Sequence, residues 1–160
     1  MDGVALLAAT HLVLSDMLDA AAKEDVVSSS EVGRLILALE MRCKLEELVL
    51  YPAIVEALRQ EPGLYAALEA GIARLRDASD RLVAATVPER SEHLQALRDQ
   101  VSAHLVAVAA MVARPEVGRR IDTHRLGQDM QGLMKRWQQE IAQTGGIEDE
   151  ERDPVGLPPR

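Results

Sequence analysis

Three side chains of metal-binding type interrupt the apolar stripes of predicted helices. His11, Glu46 and His104 each occupy a place in a series of apolar residues spaced three and four apart. That spacing is typical of a helix with one buried side. Imidazole and carboxylate groups suit non-haem iron, and two histidines with one carboxylate leave coordination positions open for a small ligand. The three residues are therefore candidates for a site that holds one iron ion.

Arg42 offers a second interpretation of Glu46. The two residues are four apart, so they lie on the same side of one helix. A buried carboxylate needs a metal ion or a cationic partner, and a guanidinium one turn earlier is such a partner. This interpretation predicts an Arg42–Glu46 ion pair in place of a metal, with the histidines as hydrogen-bonded core side chains. The neighbouring Cys43 is either a soft ligand, a reactive thiol or a small buried hydrophobe.

The elements that must position these residues are five helices. Apolar periodicity and breaker residues predict them from Val4 to Ala21, from near Ser30 to near Arg59, from Leu64 to Ala85, from about Glu89 to Arg114, and from Asp122 through Ile141. Residues 118–122 are predicted as a loop. Four long helices joined by short loops specify an all-α, up-down-up-down four-helix bundle, with the fifth helix packed outside. Residues 1–143 form this domain, and residues 144–160 are predicted as a flexible, acidic, proline-containing tail.

Composition restricts the possible binding partners of the protein and its cellular compartment. The chain has 160 residues, 48% of them hydrophobic, which is enough for one core. Its net charge of −8 disfavours nucleic acid and anionic membranes as partners. A single cysteine excludes an intramolecular disulfide and, with an acidic N-terminus and no apolar run near the ~18 residues of a spanning helix, predicts a cytoplasmic protein. We expect a monomer or a homodimer.

Catalysis by a nucleophile has weak support in the sequence. No serine or cysteine lies at a recognisable spacing from a base. The run Ser91-Glu92-His93 is interpreted as a helix cap, and His124 as a solvated side chain. The sequence therefore favours a role other than that of an enzyme.

The stretch Met41–Ala53 resembles a known family. Its order of Arg42, Glu46-Glu47 and Tyr51-Pro52-Ala53 is similar to the second helix of the hemerythrin-like (HHE cation-binding) family. His11 and His104 are similar to that family's first-helix and fourth-helix histidines. The resemblance implies a bundle of hemerythrin type. Typical members hold two irons with five histidines and two bridging carboxylates, and they bind oxygen or act in sensing and nitric-oxide stress.

Only part of the family's ligand set is present. His11, Glu46 and His104 match ligand positions, whereas Arg42 stands where the second-helix histidine belongs. Gly71, or its neighbour Ala70, stands where the third helix has a histidine, and Val108, or Ala109, stands where the fourth helix has a carboxylate. The resemblance therefore implies that the two-iron centre is lost, because a cation at Arg42 would also repel a divalent ion.

Three functions remain open from the sequence. The first is a binding or regulatory module without any cofactor, which acts on an unknown protein partner or small molecule. The second is a non-haem iron protein for oxygen, nitric oxide or redox sensing, with one Fe at His11, Glu46 and His104. The third is a pocket for a small apolar ligand in the space left by the missing ligands, beside Gly71 and Val108, since dry apolar cavities take up such guests.

Overall fold

The computed structural model describes the backbone of residues 2–150 and the side chains of residues 2–144. Within that part of the chain all regular structure is helical, so the all-α prediction is confirmed. The helices are α1 (Gly3–Ala21), α2 (Ser29–Leu45), α3 (Tyr51–Ala57), α4 (Leu64–Ala84), α5 (Arg90–Val112), α6 (Pro115–Arg120) and α7 (Thr123–Glu150). A π-helical segment, Glu46–Leu50, joins α2 to α3, and a 3-10 turn, Val87–Glu89, precedes α5.

Four of the helices contact one another in a closed ring. Helix α1 contacts α2, α2 contacts α4, α4 contacts α5, and α5 returns to α1, while α7 packs against α1 and α2. One continuous core lies between them, and it includes the most deeply buried large side chains of each helix. Among these are Leu18, Leu39, Leu45, Tyr51, Ile54, Leu75, Leu97 and Met130.

Local signals explain where the helices begin. The Ser28 hydroxyl accepts from the backbone of Glu31, whose carboxylate accepts from the Ser28 N–H, and this capping box sets the start of α2, which was expected near Ser30. Asp122 likewise accepts from two backbone N–H groups in the first turn of α7. Gly63 precedes α4 at a φ of 82°, a left-handed conformation that favours glycine.

The predicted loop at residues 118–122 is wrong in part, because α6 runs through Pro115–Arg120. Proline at the first helical position has a φ suited to the helix and no N–H to leave unpaired. Val117 anchors this short helix in the core. Pro115 therefore both stops α5 and begins a new helix, and only the first of these effects was expected from the sequence.

The second predicted helix is one continuous rod with a π-helical segment inside it. Pro52 has no N–H, and in an α-helix its ring would collide with the carbonyl group four residues earlier. Just before it, the Tyr51 N–H donates to the carbonyl of Glu46, five residues back. The widened turn relieves the crowding and brings Glu46 and Tyr51 to the same side of the rod. Segments of this kind occur frequently at functional sites.

Both ends of the described chain differ in detail from expectation. Helix α1 has the length and mean hydropathy, 1.5, that a membrane-crossing helix needs, contrary to the expected lack of such a run. It also carries Asp16 and Asp19, and its Leu14 and Leu18 lie in the core. Helix α7 extends to Glu150, into the segment predicted as a tail, and residues 151–160 lie outside the described residues.

Candidate functional site

Glu46 is the centre of a buried polar cluster. Its carboxylate is fully buried and accepts hydrogen bonds from three side chains. Arg42 Nε donates to Oε1 at 2.6 Å, Tyr51 Oη donates to Oε2 at 2.7 Å, and His104 Nε2 lies 2.6 Å from Oε2. Because a carboxylate only accepts, Nε2 of His104 carries the hydrogen. Both oxygens of Glu46 are therefore occupied by protein donors.

The cluster keeps Glu46 ionised. Burial opposes the charged form, but the hydrogen bond from His104 and the charge of Arg42 outweigh it and hold the pKa of Glu46 below its usual value. Burial and the adjacent carboxylate raise the pKa of Tyr51, so its hydroxyl stays protonated and donates. The interior thus holds one carboxylate and one guanidinium that neutralise each other.

Arg42 also ties α2 to α1. Its side chain is 4% exposed, and its Nη1 donates to the Leu7 carbonyl and, at 2.9 Å, to Thr10 Oγ1. The Thr10 hydroxyl in turn donates to the Leu7 carbonyl at 2.9 Å. One guanidinium therefore compensates a buried charge and holds two helices of the ring together. Thr10 was not recognised from the sequence, because a threonine among alanines and leucines carries no signal of this contact.

His11 forms no hydrogen bond with either of the other two candidate ligands. His11 is half-buried on α1, and its burial and the charge of Arg42 lower its pKa, so it is neutral at pH 7. Its ring takes part in none of the hydrogen bonds of the described side chains, whereas Glu46 and His104 are in contact. Across residues 2–144, no group of three His, Cys, Asp or Glu side chains is arranged to hold a metal ion.

Cys43 is a structural side chain rather than a reactive thiol. It is fully buried, and burial together with the nearby carboxylates of Glu40 and Glu46 raises the pKa of its thiol to about 12. Since the thiolate is the form that attacks electrophiles and binds metals, this environment suppresses both activities. Of the alternatives for Cys43, the small buried hydrophobe is the one that its surroundings fit.

A second group of polar side chains lies beside the cluster around Glu46 and was not predicted from the sequence. Arg76 of α4 donates to both oxygens of Glu47, at 2.7 and 2.8 Å, and to Glu40 at 3.1 Å. Glu47 is the second glutamate of the Glu46-Glu47 pair, so the two neighbours have different partners. The pairing joins α4 to the rod formed by α2 and α3. The sequence does not indicate which carboxylates an arginine on the polar side of a helix will pair with.

Gly71 is not an empty ligand position, because the ring of His104 fills the space beside it. A Cβ atom at Gly71 would lie 3.0 Å from Nδ1 and 3.1 Å from Cε1 of that ring. The glycine thus allows α5 to project its imidazole between α4 and Glu46. Next to this contact, a cleft of about 230 Å³ opens between α4 and α5, and Val108, Gly71, His104 and Tyr51 are among its lining residues.

Replacing Gly71 with alanine tests this contact. Alanine in mid-helix gains about 1 kcal/mol over glycine, but the crowding of a held ring costs about 1–3 kcal/mol. We therefore expect Gly71→Ala to lower the free energy of unfolding in urea titrations. In a His104→Ala background the same change should raise it by up to about 1 kcal/mol. Equal effects in the two backgrounds would show that the ring does not depend on the glycine.

A larger groove of about 970 Å³ lies away from the cluster, between α3 and α7. Four arginines line it: Arg59, Arg120, Arg125 and Arg136. Three acids, Glu56, Asp122 and Asp129, line it as well, so its charges are mixed. These features describe a polar surface rather than a site for an anion.

Comparisons with protein-family models, with curated proteins and with solved structures found no match to this chain. The kind of protein is therefore described by its own fold and site. It is an all-helical protein whose interior holds a charge-balanced Arg42–Glu46 pair, beside a small cleft that reaches His104.

Proposed function

We propose that this protein is a divergent hemerythrin-like bundle that has lost the two-iron centre and acts as a binding or regulatory module, with Arg42 paired to Glu46 in place of metal. The observation that carries the proposal is the saturation of the Glu46 carboxylate. Both of its oxygens accept hydrogen bonds from side chains of the protein at 2.6 to 2.7 Å. A carboxylate with this set of donors needs no ion to be stable in the interior.

The arrangement of helices supports the bundle part of the proposal. In an up-down-up-down bundle each helix lies beside the next one along the chain, and the fourth returns to the first. The contacts α1–α2, α2–α4, α4–α5 and α5–α1 have this order. Helix α7, packed against α1 and α2, takes the place of the additional C-terminal helix.

Electrostatics argues against a divalent ion at this place. A metal bound by Glu46 would lie close to the guanidinium of Arg42, which is itself buried. Two unit charges 4 Å apart repel by about 4 kcal/mol at an effective dielectric constant of 20, and a divalent ion doubles this value. The guanidinium would have to leave the interior, and its bonds to Leu7 and Thr10 would be lost.

Elemental analysis tests the proposal. Protein purified without chelators is expected to be colourless and to contain iron, zinc and manganese far below one equivalent. Chelator treatment should leave its melting temperature unchanged, because removing a ligand that binds only the folded state would lower it. Iron near one equivalent, lost in both His11→Ala and His104→Ala, would instead establish the one-iron alternative and overturn the metal-free proposal.

A second candidate function, the binding of a small apolar ligand, is favoured by the cleft between α4 and α5. Gly71 and Val108, where the family resemblance implies lost ligands, are among its lining residues, and the lining is mostly apolar. Pockets that are apolar with a few convergent polar groups are the usual places for small molecules. Under this proposal, the module's partner is a small molecule held beside His104.

A further inference from the structure

The outward sides of α1 and α5 form an apolar surface, which we call the α1–α5 face. Its large side chains are Val4, Leu12 and Val13 of α1 and Val106 of α5, of which Leu12 is 63% and Val106 is 68% exposed. The rest of the face consists of exposed alanines, which are Ala5, Ala8 and Ala9 of α1 and Ala109, Ala110 and Ala113 of α5. No Asp, Glu, Lys or Arg lies in residues 3–15 or in residues 100–113.

The two helices of this face lie side by side and run in opposite directions. They contact each other, and Asp19 near the end of α1 pairs with Arg98 near the start of α5. Because both helices rise equally per residue, this register places Leu12 at nearly the same level as Val106. The uncharged parts of the two helices therefore lie next to each other and form one continuous surface.

The α1–α5 face is large enough for a specific interface. Residues 4–15 and residues 102–113 each rise about 17 Å, and two helices are roughly 20 Å wide, so the flat footprint is about 340 Å². A polar rim about one side chain wide, ~5 Å, brings the contact to roughly 800 Å². That is the standard area per partner in a specific complex. Soluble monomers rarely expose apolar patches above a few hundred Å².

Large and small side chains occupy different halves of the face. Leu12 and Val13 lie level with Val106 and form a raised half. The alanines lie towards the start of α1 and the end of α5 and form a flat half, with the less exposed Val4 at its edge. A two-fold axis that crosses both helices puts the raised half of each copy on the flat half of the other. The face is therefore complementary to itself, as an isologous contact requires.

We propose that the α1–α5 face is the interface of a symmetric homodimer. Helix α1 packs antiparallel on α1 of the second copy, and α5 packs in the same way on α5. Leu12 of each copy lies against Ala5 and Ala8 of the other. Val106 lies against Ala109. The apolar centre of this interface leaves no charge buried without a partner.

The composition of the face favours a second copy over a lipid surface. Helices that lie on membranes usually carry Lys and Arg beside an apolar side that is rich in Trp, Phe and Leu. The first basic residue of this chain is Lys23, and the charged residues next to the face include Asp2, Asp16 and Asp99. The face has one leucine, no aromatic residue and six alanines, so it suits close helix packing better than insertion into lipid.

Sedimentation velocity of the full-length protein, from about 1 μM to about 1 mM, tests the proposal. We expect a monomer–dimer equilibrium. Leu12→Lys and Val106→Glu should each weaken it at least about tenfold, because each copy would then bury an unpaired charge. Val83→Glu is the matched control, since Val83 is 57% exposed on α4, diagonally across the ring from α1, and it should have no effect. Circular dichroism checks that the variants remain folded.

Salt separates this interface from one built on ion pairs. Each chain has a net charge of −8, so two copies repel each other at long range. Raising the ionic strength from about 0.01 M to about 0.15 M shortens the screening length from roughly 30 to 8 Å. The dimer should become tighter. A dimer that dissociates as salt is added would overturn the proposal.

A mixture of two variants tests the orientation of the two copies. Leu12→Lys and Ala8→Glu should each fail to dimerise alone, whereas an equimolar mixture should form a dimer, because the new lysine then meets the new glutamate. A mixture that stays monomeric would overturn the antiparallel arrangement. A protein that is monomeric at every concentration, or whose dimer is unaffected by Leu12→Lys and Val106→Glu, would overturn the homodimer. Binding of a monomer to phosphatidylcholine vesicles, lost in Leu12→Lys, would assign the face to lipid instead.

Discussion

Replacing Arg42 with methionine is expected to lower the free energy of unfolding by about 3–5 kcal/mol, the usual cost of removing one partner of a buried ion pair. Glu46 would remain fully buried with its charge uncompensated. The bonds from the guanidinium to the Leu7 carbonyl and to Thr10 on α1 would be lost as well. Urea unfolding followed by circular dichroism measures the change, and it should be among the largest of any single polar substitution in this chain.

An exposed ion pair provides the matched control. Arg98 of α5 pairs with Asp19 of α1, but both side chains are more than 40% exposed. Exposed pairs contribute only about 0–1 kcal/mol because water screens them. Arg98→Met should therefore cost less than 1 kcal/mol, although it too removes a link between two helices. The comparison separates the effect of burial from that of losing an arginine.

A double substitution tests whether the cost comes from the unpaired charge. Glu46→Gln removes the charge but keeps one oxygen to accept from Tyr51 and His104, which are its partners at 2.7 and 2.6 Å. Introduced into the Arg42→Met protein, it should recover most of the lost stability, since replacing a whole buried pair is often neutral. A double variant no more stable than Arg42→Met alone would mean that the lost contacts to α1 dominate instead.

Much of the fold can be predicted from the helical spacing of apolar residues in the sequence. The stripes of α1, α2, α4, α5 and α7 each have several large apolar residues at helical spacing, and breaker pairs such as Pro62-Gly63 separate them. Such signals are local and repeated, so one exception does not erase them. The buried place of Glu46 and Arg42 on the α2 stripe is also visible from spacing alone.

The finer geometry depends on features that periodicity does not encode. In an α-helix, a residue five after Glu46 does not lie on the same side, so the spacing alone does not indicate that Tyr51 donates a hydrogen bond to Glu46. The π-helical segment changes that phase, and its only sequence signal is Pro52 inside a long helix. Likewise, the sequence suggests that Gly71 marks a lost ligand side chain. In the structure, the ring of His104, on another helix, fills the space beside this glycine.

We expect the residue at position 42 to decide whether the interior of this protein binds a metal ion. Glu46 and His104 are already in contact, and Arg42 lies one turn before Glu46, so Arg42→His would direct two imidazoles and one carboxylate to the same place. That ligand set suits zinc, cobalt and iron. We expect Arg42→His to bind cobalt(II) at least about a thousandfold more tightly than the unaltered protein, because roughly 4 kcal/mol of repulsion is removed even for a unit charge. Any variant that removes the guanidinium shares this gain, so the contribution of the added imidazole is the further increase in affinity over a neutral residue that is not a metal ligand.

The control for this change is Arg42→Gln, which removes the same positive charge but supplies no imidazole. If position 42 is a ligand position, only Arg42→His should give the intense visible absorption of tetrahedral cobalt(II) and a one-to-one titration. A further His104→Ala change in that variant should abolish both signals, since the carboxylate and one imidazole hold cobalt weakly. Equal cobalt affinity in Arg42→His and Arg42→Gln would contradict the view that the guanidinium occupies the place of a metal-binding histidine, and would leave charge alone as the reason for its presence.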